Sequence, residues 1–283
     1  MSKVKREVKL VECPRDAIQG IHSIIPTASK IAYINALIAS DLFDWIDFGS
    51  FVSPKAVPQM ADSEEVLAGL HLSNDTKLLA IVANERGVEK AVSLDKIHYI
   101  GYPFSISEEF QRRNTNMDIK ASFESLRRMA AMTQDGGKQM VVYISMAFGN
   151  PYHEEWNEQL VMDWIGEIAN LGVCEFSLAD TTGEANPLQI KELFEKVYSV
   201  HGDVSVGAHF HSVKATGLLK IQAAYEAGCR KFDGALLGFG GCPFAADDLV
   251  GNIATEDLLF YFERGDPQVI LKLEKQFKQM INV

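Results

Sequence analysis

Cysteines are few and widely spaced in this sequence. The four are Cys13, Cys174, Cys229 and Cys242, and no two of them have the short separation of a zinc-binding pair. A density this low excludes a disulfide-rich scaffold. It favours a protein of a reducing compartment.

Long apolar runs and an excess of positive charge are also missing. No run approaches the ~18 apolar residues that a membrane-spanning helix needs, and residues 1–10 lack the apolar segment of a signal peptide. The 27 lysines and arginines face 38 aspartates and glutamates, for a net charge of −11. We therefore expect a cytoplasmic protein without a nucleic acid or membrane partner. An anionic substrate in a local basic pocket stays compatible with this charge.

Short apolar segments typical of β-strands alternate with segments of helical periodicity. One such helical segment has Ile31, Ile34, Ile38 and Leu42 at helical spacing. The predicted strands are 8–13, 45–49, 77–82, 96–102, 140–146, 175–180, 204–211 and 231–237. This rhythm predicts eight strand–helix units.

Eight such units without a linker predict an α/β fold, a single (β/α)8 TIM barrel. We expect one catalytic domain over 1–283, with the barrel at about 8–262 and a C-terminal helix at about 265–283. The alternative is an open, doubly wound sheet. For dinucleotide binding, that fold needs a glycine-rich turn after the first strand, and "CPRDAIQG" at 13–20 is no such turn.

Polar residues that can carry chemistry follow several of the predicted strands. In a TIM barrel the active site lies at the C-terminal ends of the strands, so these residues should meet at one rim. They are Glu12, Arg15, Asp16, Asp47, Ser145, Asp180, Thr181, Thr182, His209 and His211. The sequence therefore predicts an active site at this end.

His209 and His211 stand one residue apart at the end of the seventh predicted strand. Side chains alternate along a strand, so both imidazoles point to the same face and can reach one cation together with Asp16. A set of carboxylate and imidazole ligands suits Mg²⁺, Mn²⁺, Zn²⁺ or Fe²⁺, whereas Ca²⁺ prefers oxygen ligands. The alternative is a pair of buried, hydrogen-bonded histidines.

Three further residues have two interpretations each. Arg15 either stabilises a developing enolate oxygen or forms a structural ion pair with Glu12 or Asp47. Cys242, in the glycine-rich segment "GFGGCPFA", is either an acid–base group or a small apolar filler. Asn252 is either a neutral oxygen ligand or an ordinary loop residue.

Seven motifs follow one another over about residues 8–262. They are "VKLVECPRDAIQG", "GSFVSPKAVPQMAD", "SEEFQRRNTN", "SLADTTG", "AHFH", "GFGGCPFA" and "GNIATEDL". Together and in this order they resemble the 3-hydroxy-3-methylglutaryl-CoA (HMG-CoA) lyase family, which is part of the wider superfamily of metal-dependent aldolase-type barrels. The segments "SFVSP", "GGCP" and "GN.ATED" are specific, whereas His-x-His by itself is not.

The resemblance implies a set of residue roles. The ligands of a divalent cation, Mg²⁺ or Mn²⁺, would be Asp16, His209, His211 and Asn252. The catalytic residues would be Glu12, Arg15, Asp180, His209 and Cys242. The substrate-binding residues would be Gln19, Asp47, Ser145 and Thr182, and Glu256 would complete the polar site. The resemblance also implies an acyl-CoA substrate and a homodimer.

The activity implied is a retro-Claisen cleavage of HMG-CoA to acetyl-CoA and acetoacetate. One alternative is a Claisen-type synthase of the same superfamily, which commonly carries a further C-terminal domain. Another is a catalytically silent barrel that binds a metal or an acyl-CoA. The segment "SVKATG" at 212–217 differs from the family's usual continuation, and we locate any difference in substrate preference there.

Overall fold

Eight parallel strands close into a barrel in the computed structural model, which describes residues 7–212, 216–241 and 250–282. Each strand pairs with the next, and β8 returns to pair with β1. The strands are β1 (Lys9–Glu12), β2 (Trp45–Ser50), β3 (Lys77–Ile81), β4 (Ile97–Ser105), β5 (Gln139–Ser145), β6 (Glu175–Asp180), β7 (Ser205–Phe210) and β8 (Lys231–Gly234). The predicted TIM barrel is confirmed, and the open sheet is excluded.

Helices follow the strands and cover the outside of the barrel. They are α1 (Pro14–Ile18), α2 (Thr27–Ala39), α3 (Ser63–Ala68), α4 (Glu85–Val92), α5 (Glu108–Thr115), α6 (Ile119–Asp135), α7 (Glu158–Ala169), α8 (Pro187–Val200), α9 (Gly217–Glu226), α10 (Thr255–Tyr261) and α11 (Pro267–Ile281). No helix in the described part of the chain is long and apolar enough to cross a membrane.

Most helices, but not all, begin at a residue whose side chain caps the helix or at a proline in the first turn. Asn186 caps α8, because its side-chain oxygen accepts a hydrogen bond from the backbone N–H of Gln189 at 3.0 Å. α10 has Ala254 at its N-cap and begins with Thr255, a residue type that commonly caps helices. Its hydroxyl donates to the carboxylate of Glu12 instead. A tertiary contact therefore replaces the cap.

Alternation along the strands divides the core into two parts. One cluster lies inside the barrel and the larger one lies between the barrel and the helices. Val11 and Cys13 of β1 belong to the inner cluster, whereas Leu10 belongs to the outer one. The inner cluster consists of Val11, Cys13, Trp45, Leu79, Ile81, Val141 and Tyr143, with Tyr99 packed against it. The same alternation decides which polar side chains enter the barrel.

Candidate active site

Asp16, His209 and His211 form a compact group at the C-terminal end of the barrel. One ligand atom from each lies within 4.8 Å of those of the other two. α1 begins immediately after β1 with Pro14 at its first position, so Asp16 is held over the end of the strand. His209 lies on the inner face of β7, and His211, one residue beyond the end of the strand, follows on the same side. The structure thus brings together three of the four predicted metal ligands.

Each histidine of this group uses one ring nitrogen for a hydrogen bond within the protein. Nδ1 of His209 donates to Oδ2 of Asp233 at 3.1 Å, and Nδ1 of His211 donates to the carbonyl oxygen of Thr181 at 2.9 Å. Nε2 is then the nitrogen left to bind a cation. Burial lowers the pKa of His211, which favours the neutral form that a metal ligand must have. Burial also acts to lower the pKa of His209, but the hydrogen bond to Asp233 and the charges of Asp233 and Asp16 outweigh it and the net pKa is raised.

Asn252 lies beside Asp16, as the predicted ligand set requires. Its Nδ2 donates to Oδ2 of Asp16 at 2.6 Å and to the carbonyl oxygen of Phe239 at 2.9 Å. A β-bridge between His211 and Asn252 holds the two backbones together. The side-chain oxygen of Asn252 is the atom that could bind a cation, and this role stays a prediction.

Arg15 joins the carboxylates of Asp47 and Asp16. Its Nε and Nη2 donate to Oδ2 of Asp47 at 3.0 and 2.6 Å, and its Nη1 donates to Oδ1 of Asp16 at 3.0 Å. Gln19 completes the network, because its Nε2 donates to Oδ1 of Asp16 at 2.6 Å. Of the two ion-pair partners weighed from the sequence, the structure contains Asp47 and not Glu12 among the described contacts. The guanidinium is therefore held beside Asp16, His209 and His211, the candidate metal-ligand group.

The two carboxylates bonded to Arg15 have opposite pKa shifts. Burial raises the pKa of Asp47 to about 6, although Arg15 opposes this shift. Burial also acts to raise the pKa of Asp16, but Arg15, His209 and His211 outweigh it and the net pKa is lowered. Asp16 is therefore the carboxylate that stays ionised, as a cation ligand must be.

The side chains of Glu12 and Asp180 point to the outer face of the barrel. Cys13 and Ala179 take the inward positions, and alternation turns the neighbouring residue outward. Glu12 accepts from the backbone N–H of Leu236 at 2.9 Å. Asp180 accepts from Nζ of Lys220 at 2.5 Å. Their catalytic roles stay predictions, and their contacts are those of residues that hold loops in place.

The remaining residues predicted for the site lie at the end of β5 or follow β6 and β8 in the sequence. Ser145 ends β5 and is buried, whereas Thr182 lies in the turn after β6 and is partly exposed. The hydroxyl oxygen of Thr181 accepts a hydrogen bond from the backbone N–H of Met146 at 2.8 Å. Cys242 lies outside the described residues. The site therefore contains Gln19 and Asp47 in direct contact with Arg15, and the other predicted substrate residues on the rim.

Asp233 and Lys220 are residues of this region that the sequence analysis did not single out. Asp233 is the third residue of β8, and the strand register places it directly beside His209. The alternation rule, applied to the eighth predicted strand, could have indicated an inward carboxylate. Lys220 lies within α9 and has no comparable sequence signal, because its partners come from β6 and β7.

Replacing Glu12 with glutamine is expected to change how stability depends on pH. Burial raises the pKa of Glu12 from 4.5 to about 8. The folded protein therefore retains this proton between those two values, whereas the unfolded chain releases it. The contribution of Glu12 to stability is complete below pH 4.5 and is lost as the pH rises to about 8.

The glutamine variant has no proton to release at this position. The difference in melting temperature between the variant and the wild type should therefore increase in favour of the variant by several degrees between about pH 5 and pH 8. Scanning calorimetry at several pH values measures this difference. Glu64→Gln, at an exposed surface pair with Lys90, is the matched control. A difference that does not vary with pH would contradict the shifted pKa.

The chain matches the HMGL-like family over residues 8–281. It is 35% identical over 257 residues to a 3-hydroxy-3-isohexenylglutaryl-CoA/hydroxy-methylglutaryl-CoA lyase of Pseudomonas aeruginosa, covering 90% of this chain and 84% of that protein. It is 33% identical over 259 residues to an (R)-citramalyl-CoA lyase of Chloroflexus aurantiacus, covering 88% and 81%. Relatives with related acyl-CoA substrates thus share nearly the whole barrel.

A solved structure agrees with these sequence matches. An HMG-CoA lyase from Acinetobacter baumannii, in complex with coenzyme A and 3-methylmalate, superposes with a TM-score of 0.91 at 33% identity. The match covers 100% of this chain and 93% of that chain. The motifs, the closed barrel and the group of ligands at its C-terminal end lead to the same assignment. This chain belongs to the HMGL-like family.

Proposed function

We propose that this chain is a divalent-metal-dependent lyase that cleaves HMG-CoA to acetyl-CoA and acetoacetate. One observation carries the proposal: Asp16, His209 and His211 converge within 4.8 Å, with Arg15 bonded to Asp16. The group lies at the end of the barrel where active sites of this fold occur. The family and the relatives named above support the same reaction.

The donor atoms of the site fit a divalent cation. Asp16 offers an ionised carboxylate, His209 and His211 each offer a free ring nitrogen, and Asn252 offers an amide oxygen. Mixed oxygen and nitrogen donors suit Mg²⁺ or Mn²⁺. When bound, such a cation would orient the 3-hydroxyl of the substrate and lower its pKa.

Arg15 is proposed to stabilise the enolate that forms when the carbon–carbon bond breaks. The guanidinium is permanently charged, since its carboxylate neighbours raise its pKa further against the effect of burial. Two bonds to Asp47 fix its direction before the reaction. A donor placed in advance at a developing negative charge needs no reorganisation during the reaction.

The reaction moves one proton from the 3-hydroxyl to the acetyl carbon, so one group can take it and return it. The free lone pair of His209 cannot bind a cation and a proton at once, and we assign it to the cation. Asp180 is bonded to Lys220 on the outer face, so we do not assign it the base role. We propose Cys242 for the proton transfer, as the loop motif "GFGGCPFA" suggests.

The other interpretations weighed from the sequence have less support. The curated relatives named above are lyases, so we do not favour the Claisen-type synthase. A silent binding barrel would not require Arg15 to be bonded within the metal-ligand group. We further propose that the protein acts in the cytoplasm as a homodimer.

Purified protein incubated with Mg²⁺ and HMG-CoA is expected to release acetoacetate and acetyl-CoA in equal amounts. Both products are measured in coupled assays. Treatment with EDTA should abolish the release, because the substrate is no longer oriented, and added Mn²⁺ should restore it. Citramalyl-CoA serves as the competing substrate, since one relative is a lyase of this compound. The absence of acetoacetate with both metals present would contradict the proposal.

A further inference from the structure

Asp233 lies on the inner face of the barrel, next to His209. The register of β7 and β8 pairs the two residues directly. Oδ2 of Asp233 accepts the hydrogen bond from Nδ1 of His209 at 3.1 Å, and only 2% of the Asp233 side chain is exposed. The contact is therefore fixed by two neighbouring strands rather than by a loop.

The second carboxylate oxygen of Asp233 has no stabilising hydrogen bond among the described residues. Oδ1 is buried and has no hydrogen-bond partner among the described residues. A buried acceptor without a partner destabilises the folded protein. The presence of a carboxylate here is therefore difficult to explain by stability. Among the described residues, its hydrogen bond is with His209.

Cys13 also faces Asp233 and His209, and these three residues could form a second metal site. Two observations oppose this interpretation. Burial, followed by the charges of Asp233, Asp47, Asp16 and Glu12, raises the pKa of the Cys13 thiol, whereas a metal ligand must be a thiolate. Moreover, a cation at this position would need the His209 nitrogen that already donates to Asp233.

We propose that Asp233 is a positioning residue that prepares His209 to bind the divalent cation. By accepting the proton on Nδ1, the carboxylate fixes the tautomer in which Nε2 carries the free lone pair. It also fixes the ring orientation, because both partners lie on paired strands. This inference rests on the metal site of the proposed function, and it names a residue outside the predicted ligand set.

Asp233→Asn tests the proposal, with Mn²⁺ affinity measured by electron paramagnetic resonance of the free ion. Asparagine preserves the shape but can donate to Nδ1, which favours the wrong tautomer. We expect Mn²⁺ to bind about 10–100-fold more weakly. The melting temperature of the metal-free variant should equal or exceed that of the wild type, because the buried oxygen without a hydrogen-bond partner no longer bears a negative charge. A structural role would lower it.

Ser177→Ala is the matched control, since Ser177 is another buried polar residue of the barrel with an unpartnered side-chain oxygen. Its Mn²⁺ affinity should equal that of the wild type. Asp233→Ser provides a second neutral variant if the asparagine variant does not fold. Two results would overturn the inference alone. One is Mn²⁺ binding within threefold of wild type in the Asp233 variants, and the other is a metal-free melting temperature below that of the wild type. Wild-type protein that binds no Mn²⁺ would overturn both the metal site and the inference.

Discussion

Replacing Arg15 with methionine is expected to lower the turnover of HMG-CoA by about 10³-fold or more, with metal content unchanged. Methionine has a similar length but no charge, so it cannot stabilise an enolate. Asp16 keeps the hydrogen bond from Nδ2 of Asn252, which also donates to the carbonyl oxygen of Phe239. Gln19 also donates to Asp16, but it loses the hydrogen bond that its Oε1 accepts from Arg15. The cation ligands should therefore keep their positions.

The neighbour most affected by this change is Asp47. It loses both hydrogen bonds from Arg15 and is left buried without a counter-charge. Its pKa is already raised to about 6 with Arg15 present, so without Arg15 it should take up a proton at neutral pH. Protonation avoids the cost of a buried, unpaired charge, and the variant should stay folded.

A double variant separates catalysis from this secondary effect. Arg15→Met with Asp47→Asn removes the orphaned carboxylate, and we expect it to be as inactive as the single variant. Turnover is measured at saturating Mg²⁺, and bound metal by mass spectrometry. If the single variant keeps turnover within a few fold of wild type, Arg15 does not stabilise the transition state. If the double variant recovers activity, the defect came from Asp47.

Replacing Lys220 with methionine is expected to destabilise the protein by about 3–5 kcal/mol. Lys220 is 1% exposed, and its ammonium donates to Oδ2 of Asp180 at 2.5 Å and to the carbonyls of Gly183 and His211 at 2.7 and 3.0 Å. Its removal leaves the Asp180 charge buried and unpaired. The contact also ties the end of β6 to the end of β7.

Urea unfolding of the purified variant measures this loss. Lys196→Met, at an exposed pair with Glu158, is the control and should change stability by at most about 1 kcal/mol. Adding Asp180→Leu to Lys220→Met should recover most of the stability, because an apolar pair can replace a buried ion pair. An equally small effect for both lysines would show that the buried contact contributes little.

The same double variant decides the role of Asp180. If Asp180 only holds the loop, the re-stabilised protein should retain most of its turnover. If Asp180 is the base predicted from the family motif "SLADTTG", turnover should be lost although stability has returned. Stability and activity therefore respond in different ways to the two roles, and one preparation tests both.

The sequence was most informative where local pattern and topology agree. Short apolar strands in regular alternation with helices are compatible with few folds, and the closed barrel was predicted from this pattern. The barrel then placed the ends of β1 and β7 at one rim. Because the two histidines share a strand face, their approach to Asp16 followed from position alone.

The same reasoning did not indicate the direction of side chains where residues were chosen by proximity to a strand end without regard to alternation. Glu12 follows an inward residue and precedes another, so it points outward, to Thr255 and Leu236. Asp180 occupies the equivalent outward position on β6. Thr255 is a residue type that commonly caps helices, but its hydroxyl donates to Glu12 instead. Tertiary contacts replaced the local preference in each case.

The sequence by itself determined the barrel, the rim on which the candidate site lies, and the choice of Asp16, His209 and His211 as candidate metal ligands. Only the tertiary structure decided what supports them. Asp233 meets His209 through the pairing of β7 with β8, and Lys220 meets Asp180 from a helix 40 residues further along the chain. Spacing and periodicity are local properties of a chain, whereas the partner of a buried charge depends on which distant segment closes over it.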